Sequence, residues 1–280
     1  MQKTTGFIVL VILASAGAAE AVPIPSLTIP DVQFSDAANG WTSFYANQIV
    51  DVTGGVVTYA ATPPGKSTPR VIIQDPGFSE WAGIEIKVFD GTLADGLQIG
   101  DRVDLTDVYV DESSKARGTT YLLFDVMNYG SSFTVVSGGH TVDPTVIDLS
   151  ILGAGDESAD PVQAEKYEGM LLSVADVTVT AMDLGSHSDN YELTNTAGAC
   201  WASDYLNVDR QAVEDYHAKV GLGAGFDAIV GVLEQYTKTS NDYDYYQLLT
   251  RSGADFVPEP ASVVLLLLGS AAMLGRKKRT

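Results

Sequence analysis

The chain has 280 residues, of which 45% are hydrophobic and 19% charged, and it carries a formal net charge of −20. Its one cysteine, Cys200, excludes an intrachain disulfide, and His140, His187 and His217 share no zinc-ligand spacing with it, so stability must come from packing. Between the termini the basic residues are scattered, only Lys115 and Arg117 lying close together, so no stripe for neutralising phosphates is visible and nucleic acid is not an expected partner.

Met1-Gln2-Lys3 is a short basic start, Phe7 to Leu13 an apolar core, and Ala14 to Ala21 a run of small residues suited to signal peptidase. Residues 1–21 are therefore expected to be a signal peptide, cleaved after Ala18, Ala19 or Ala21, with an uncleaved anchor as the alternative. Removing this segment and the tail described below takes away five basic and two acidic residues, which leaves a mature region of charge −23. Such a surface suits solubility outside the cell, or divalent cations that bridge it to acidic polysaccharide. Residues 22–44, with Pro23, Pro25 and Pro30, are expected to be a linker or edge segment.

Residues 45–143 are rich in Val, Thr, Tyr and Gly in short alternating runs, an all-β pattern. Strands are predicted at Ile49 to Tyr59, Arg70 to Gln74, Gly83 to Phe89, Arg102 to Tyr109 and Tyr121 to Asp125. Gly54-Gly55 marks a bulge where the first strand of a small barrel coils round its corner. Residues 144–256 repeat the pattern through Gly169 to Val174, Tyr191 to Thr194, Ala199 to Ala202, Asp227 to Leu233 and Tyr246 to Leu249. Asn207 to Val220 is predicted to be a helix between the third and fourth strands, as a five-stranded Greek-key barrel of the OB type requires.

Ile72-Ile73-Gln74-Asp75 and the run Leu97-Gln98-Ile99-Gly100-Asp101-Arg102-Val103-Asp104-Leu105 resemble the OB-fold modules that precede the catalytic domain in secreted bacterial nucleases. There a Gln-Asp pair ends the second strand and a Gly-Asp turn launches the fourth. The second copy is similar through Tyr167-Glu168-Gly169-Met170 and Phe226-Asp227-Ala228-Ile229-Val230-Gly231. Asp107 stands where Gly231 stands in that copy, a departure at the strand's bulge. The resemblance implies the fold; with no catalytic domain between Phe256 and the tail, nuclease activity is not implied.

No catalytic residue is singled out. Ser186-His187-Ser188-Asp189 holds triad residue types, yet neighbours in sequence form no triad unaided and a Gly-x-Ser-x-Gly elbow is lacking. Glu214-Asp215-Tyr216-His217 is a solvated face of the predicted helix. Asp242 and Asp244, preceded by Asn241, are the candidate Ca²⁺ ligands, with Asp189-Asn190 a second such loop; neither has EF-hand spacing, and no other cofactor is expected. Paired carboxylates hydrolyse glycosides only in a shaped cleft. Tyr236, Tyr243, Tyr245 and Tyr246 crowd the last hairpin of the second barrel, where OB folds hold oligosaccharide or oligonucleotide, and form the candidate ligand surface. Strand alternation equally buries some of these rings. Trp81 and Trp201 are core or platform, and Cys200 is a buried, inert thiol.

The chain ends in Val257-Pro258-Glu259-Pro260, an apolar run from Ala261 to Leu274, Gly275, and the basic cluster Arg276-Lys277-Lys278-Arg279. The prolines lack donors and fix φ, so an extended segment precedes an apolar helix only about 21 Å long, short for a membrane core of about 30 Å. The basic cluster marks the cytoplasmic end. Residues 257–280 resemble the PEP-CTERM sorting signal. The resemblance implies removal by an exosortase, transient membrane association through the C-terminal helix, and delivery to the surface, outer envelope or extracellular matrix of a Gram-negative-type bacterium. An ordinary membrane anchor is the alternative.

The sequence thus predicts an all-β protein of two tandem five-stranded OB-like Greek-key barrels, 45–143 and 144–256. It is expected to be exported and non-catalytic, to meet signal peptidase and exosortase on its route, and to bind or build at the surface or matrix with exopolysaccharide as the candidate ligand. The alternatives are an extracellular nucleic-acid-binding OB module and a hydrolase with an unrecognised carboxylate site.

Overall fold

The computed structural model describes residues 24, 26–89, 92–112, 119–153, 161–184, 190–211, 220–237 and 244–258. The chain runs twice through one topology. Strand β1 (Ser26–Leu27) lies parallel to β2 (Ile49–Ala61), and β3 (Arg70–Gln74), β4 (Gly83–Val88), β5 (Arg102–Glu112) and β6 (Thr120–Phe124) follow, with β7 (Ser132–Ser137) added on β5. Their spatial order is β2-β3-β4-β6-β5, and β5 returns to β2 to close a barrel in which β4 and β6 run parallel. The second pass repeats each step. Strand β8 (Thr145–Val146) lies parallel to β9 (Leu171–Met182), then come β10 (Asn190–Thr194), β11 (Ala199–Ser203), β12 (Gly225–Thr237) and β13 (Asp244–Leu249), and β14 (Phe256–Pro258) adds to β12. Closure is β12 on β9, with β11 and β13 parallel. These are two tandem five-stranded barrels of the OB type.

Local sequence explains the irregular points. Gly54 takes φ +84° at a register break between β2 and β5, and a Cβ on Gly55 would lie 2.7 Å from Ile73 Cδ1, so both glycines of the predicted bulge are required. Asp107 lies at a second break with φ +54°, a conformation that aspartate tolerates, and its N–H donates to Asp51 Oδ1 at 3.0 Å. Its counterpart Gly231 serves close packing instead, since a Cβ there would lie 2.8 Å from Leu249 O. Of the helix predicted over Asn207 to Val220, a 3₁₀ turn at Val208–Gln211 is described; residues 212–219 lie outside the described residues. Residues 22–44 contribute β1 and the short helix α1 (Ile29–Gln33), which starts in a Thr28/Asp31 capping box and buries Ile29 and Val32 under the first barrel.

Each barrel has its own core, alternate strand residues such as Ile84, Ile86 and Val88 filling the first. Cys200 is fully buried in the second, where desolvation, with Glu192 adding to it, pushes its thiol pKa up. A third cluster, Tyr59, Ile72, Leu171, Leu206, Val232 and Leu249, joins the two. Ile72 points away from the core that Val71 and Ile73 fill, so the barrels pack outer face to outer face. Burying each large apolar side chain there contributes about 1.5–3 kcal/mol. The unbroken apolar run Val71-Ile72-Ile73 is the sequence sign of a strand covered on both sides.

Polar ties fix the seam. Leu171 N–H donates to Gln74 Oε1 at 2.7 Å, Trp81 N–H to Lys166 O at 2.6 Å, and the Arg251 guanidinium, clamped by Asp255, to Thr58 O at 3.1 Å. Two of the four stretches that carry the nuclease-module resemblance, Ile72 to Asp75 and Tyr167 to Met170, lie here. Glu165 and Glu168 are buried at the same seam. The Tyr246 hydroxyl donates to Glu165 Oε2 at 2.7 Å, whereas Glu168 Oε1 has no partner. Burial, reinforced by Glu165, Glu112 and Glu85, pushes the Glu168 carboxyl well above the usual glutamate range.

Candidate ligand-binding cleft

Where the seam opens to solvent, the barrels leave a cleft of about 720 Å³. One wall is the outer face of β3 and β4 with the loop 62–69 that joins β2 to β3. The other is Tyr205, just after β11, together with Glu234 and Tyr236 of β12. Alternation along β4 sends Glu85 and Lys87 outward while their neighbours enter the core, and Phe89 follows on the same side at the rim, 67% exposed.

Arg70 and Lys87 are direct cross-strand partners, two like charges side by side. That arrangement costs stability unless it is offset. Here Arg70 Nε donates to Glu85 Oε1 at 2.8 Å, Nη2 pairs with the same carboxylate, and Nη1 reaches across the seam to Glu234 Oε1 at 2.9 Å. Burial alone would lower the Arg70 pKa; Glu85 and Glu234 outweigh it and hold the guanidinium charged. Burial would likewise raise Glu85, but Arg70 keeps it below its ordinary value. The Tyr205 ring lies under Lys66 Nζ at 5.3 Å and Arg70 Cζ at 5.4 Å, and Lys87 Nζ sits 3.1 Å from the Tyr121 centroid. Burial, partly opposed by Glu85, lowers the Lys87 pKa.

Three cations (Lys66, Arg70, Lys87) against two carboxylates (Glu85, Glu234) give the lining a net charge of +1 on a chain of −20. The cleft therefore offers cations at 66 and 87 that make ring contacts and no ion pair among the described residues, beside the aromatic faces of Phe89 and Tyr236. Such a set can hold an anionic chain and stack its planar groups.

The residues expected from sequence are dispersed. Tyr246 points into the second core and Tyr245 is buried, its ring 4.9 Å from half-buried Trp201 and 5.1 Å from Tyr236. Tyr236 lines the cleft. Tyr243 and Asp242 lie outside the described residues, and Asp244 is described only as the first residue of β13. Among the described residues no group of three His, Cys, Asp or Glu is placed to hold a metal ion. His140 Nε2 hydrogen-bonds Ser137 Oγ at 2.7 Å, while His187 and His217 lie outside the described residues. Val257 and Pro258 pair with Ala228 and Phe226 in β14, and Glu259, Pro260, Arg276, Lys277, Lys278 and Arg279 lie outside the described residues. Lys66, Arg70, Lys87, Phe89 and Tyr205 were not foreseen. The alternation Glu85-Ile86-Lys87-Val88-Phe89 is the signal that places three of the cleft's residues on one face.

No protein-family model and no curated protein matches the chain. Solved structures similar to it include tetrameric p202 HIN2, at 15% identity and TM-score 0.33 over 74% of this chain and 89% of that one. A murine DNA-binding protein bound with double-stranded DNA is 11% identical, with TM-score 0.32 over 71% and 93%. Schizosaccharomyces pombe Pot1pC bound to single-stranded DNA is 13% identical, with TM-score 0.26 over 33% and 81%.

The sequence-based exclusion of nucleic acid is corrected by the cleft itself, whose lining carries a net positive charge. Net charge misleads here, because cations that are scattered in sequence converge in one cleft. The expected C-terminal apolar helix, Ala261 to Leu274, lies outside the described residues; among the described residues no helix is long and apolar enough to cross a membrane.

Proposed function

We propose that the protein is an exported, non-catalytic binding module whose inter-barrel cleft takes a short single-stranded nucleic-acid segment, with phosphates against Lys66 and Lys87 and bases against Phe89 and Tyr236. One observation carries this reading: a cleft of net positive lining, with the Phe89 ring exposed at its rim, on a chain of −20. It is formed by the second and third strands of the first barrel and the loop before them, the face through which OB folds bind oligonucleotides and oligosaccharides.

Fluorescence anisotropy with a labelled single strand of about ten nucleotides tests it. Saturable binding is expected at about 50 mM salt. With two phosphate contacts, raising the salt fourfold should weaken it about sevenfold. Absence of binding at low salt, binding that ignores salt, or displacement by a neutral oligosaccharide would each remove the nucleic-acid reading.

Export rests on the basic, apolar and small-residue order of residues 1–21 and on the Pro-Glu-Pro tail, which supports PEP-CTERM sorting to the envelope or matrix. Mass spectrometry of the protein recovered from the outside of producing cells is expected to show neither residues 1–21 nor the basic terminus. Recovery of the intact 280-residue chain from inside the cells would contradict it.

A further inference from the structure

A separate cleft of about 600 Å³ is built by α1, the loop that follows it and the β3–β4 loop. Three rings that folding ordinarily hides stand open in it, Phe34 being 43%, Phe44 57% and Phe78 50% exposed. Phe34 is the centre of the group. Its ring is parallel to Phe44 within 7° at 6.2 Å, and Trp81 meets it edge-on at 5.5 Å. Trp81 takes φ +60°, a region disfavoured for a bulky side chain, and is held there by its N–H donating to Lys166 O at 2.6 Å.

The charged groups lining this cleft are the carboxylates of Asp31 and Glu80. The ammonium of Lys166, outside the lining, pairs with Glu80 at 3.2 Å. We infer that the cleft binds an organic cation of the quaternary ammonium class, which sits on the ring faces beside Asp31, the helix-capping carboxylate, and Glu80, which it shares with Lys166. Charge complementarity selects this occupant. An anion is repelled, and a neutral apolar group gains nothing from Asp31 and Glu80. A compact, weakly hydrated cation gains from both the ring quadrupoles and the carboxylates. The site is the chemical opposite of the inter-barrel cleft and stands independently of it.

Titration with choline, followed by tryptophan fluorescence and proton chemical shifts, tests the inference against 3,3-dimethylbutanol, the uncharged isostere of choline. Saturable choline binding is expected, with the isostere about tenfold weaker. Phe44→Ala and Glu80→Gln should each weaken choline at least about fivefold while leaving oligonucleotide binding unchanged. If Phe44→Ala lowers stability, Glu80→Gln alone decides. Equal binding of the isostere would make this an apolar groove. Binding of a neutral oligosaccharide with choline silent would make it a sugar platform, and either result, or no choline binding, overturns the inference.

Discussion

Alanine at Gly83 is expected to lower the melting temperature by about 6–12 °C. Gly83 opens β4 against the backbone of Gly169, where the two barrels meet. A Cβ on Gly169 would lie 2.7 Å from the Gly83 carbonyl carbon, and one on Gly83 would lie closer still to the Gly169 backbone. The obstacle is main chain and not a flexible side-chain end, so relief requires the barrels to move apart. That movement pulls on the bonds that cross the seam, Leu171 N–H to Gln74 Oε1 and Trp81 N–H to Lys166 O. Overpacking against backbone costs about 3 kcal/mol, and each kcal/mol shifts the midpoint of a chain this size by about 2–4 °C. Gly77→Ala is the control, since its nearest neighbour is the Asp75 carboxylate oxygen at 3.2 Å. Scanning calorimetry of both variants decides. An unchanged midpoint for Gly83→Ala would mean that the barrels are not docked through this contact.

Glu168→Gln is expected to stabilise the protein, and more so as pH rises. The folded-state pKa of Glu168 is raised, first by burial and then by Glu165, Glu112 and Glu85. Between the ordinary glutamate value of 4.5 and the raised folded value, the folded state holds a proton that the unfolded state has released. Stability from this group is therefore complete below 4.5 and is lost as pH climbs through the folded pKa. The variant should therefore gain on the parent as pH rises from 5 to 7. Glu85, held low by Arg70, contributes with the opposite sign and is present in both proteins. Urea unfolding at the two pH values measures the gain. A difference between parent and variant that does not change with pH would contradict it.

Much of the fold is legible in the sequence because small barrels announce themselves through alternation. Arg70 to Gln74 is predicted and observed as a strand to the residue, and the Gly54-Gly55 bulge falls where a first strand must coil. The seam was less legible. Ile72, Val232 and Leu249 occupy positions that a lone barrel would expose, and only the other barrel across the seam buries them. The tyrosine surface shows the same limit. Tyr245 and Tyr246 alternate as a strand requires, one ring entering the core, but the outward one is covered by Trp201 and Tyr236 instead of facing solvent. The cleft's charge was hidden for a different reason. Arg70 and Lys87 are seventeen positions apart and meet only because β3 and β4 pair, while Lys66 reaches them over a ring, Tyr205, contributed by the other barrel. Composition averages such a cluster away.

The central claim is that Lys66 and Lys87 turn one cleft of an acidic protein into a site for a single strand. Its most direct test is an anisotropy titration of the Lys66→Ala/Lys87→Ala double variant beside the parent protein, across a range of salt. The predicted result is affinity about tenfold lower at low salt, with a salt dependence close to zero because both phosphate contacts are gone. Equal affinity and equal salt dependence in the two proteins would place the single strand elsewhere and contradict the account.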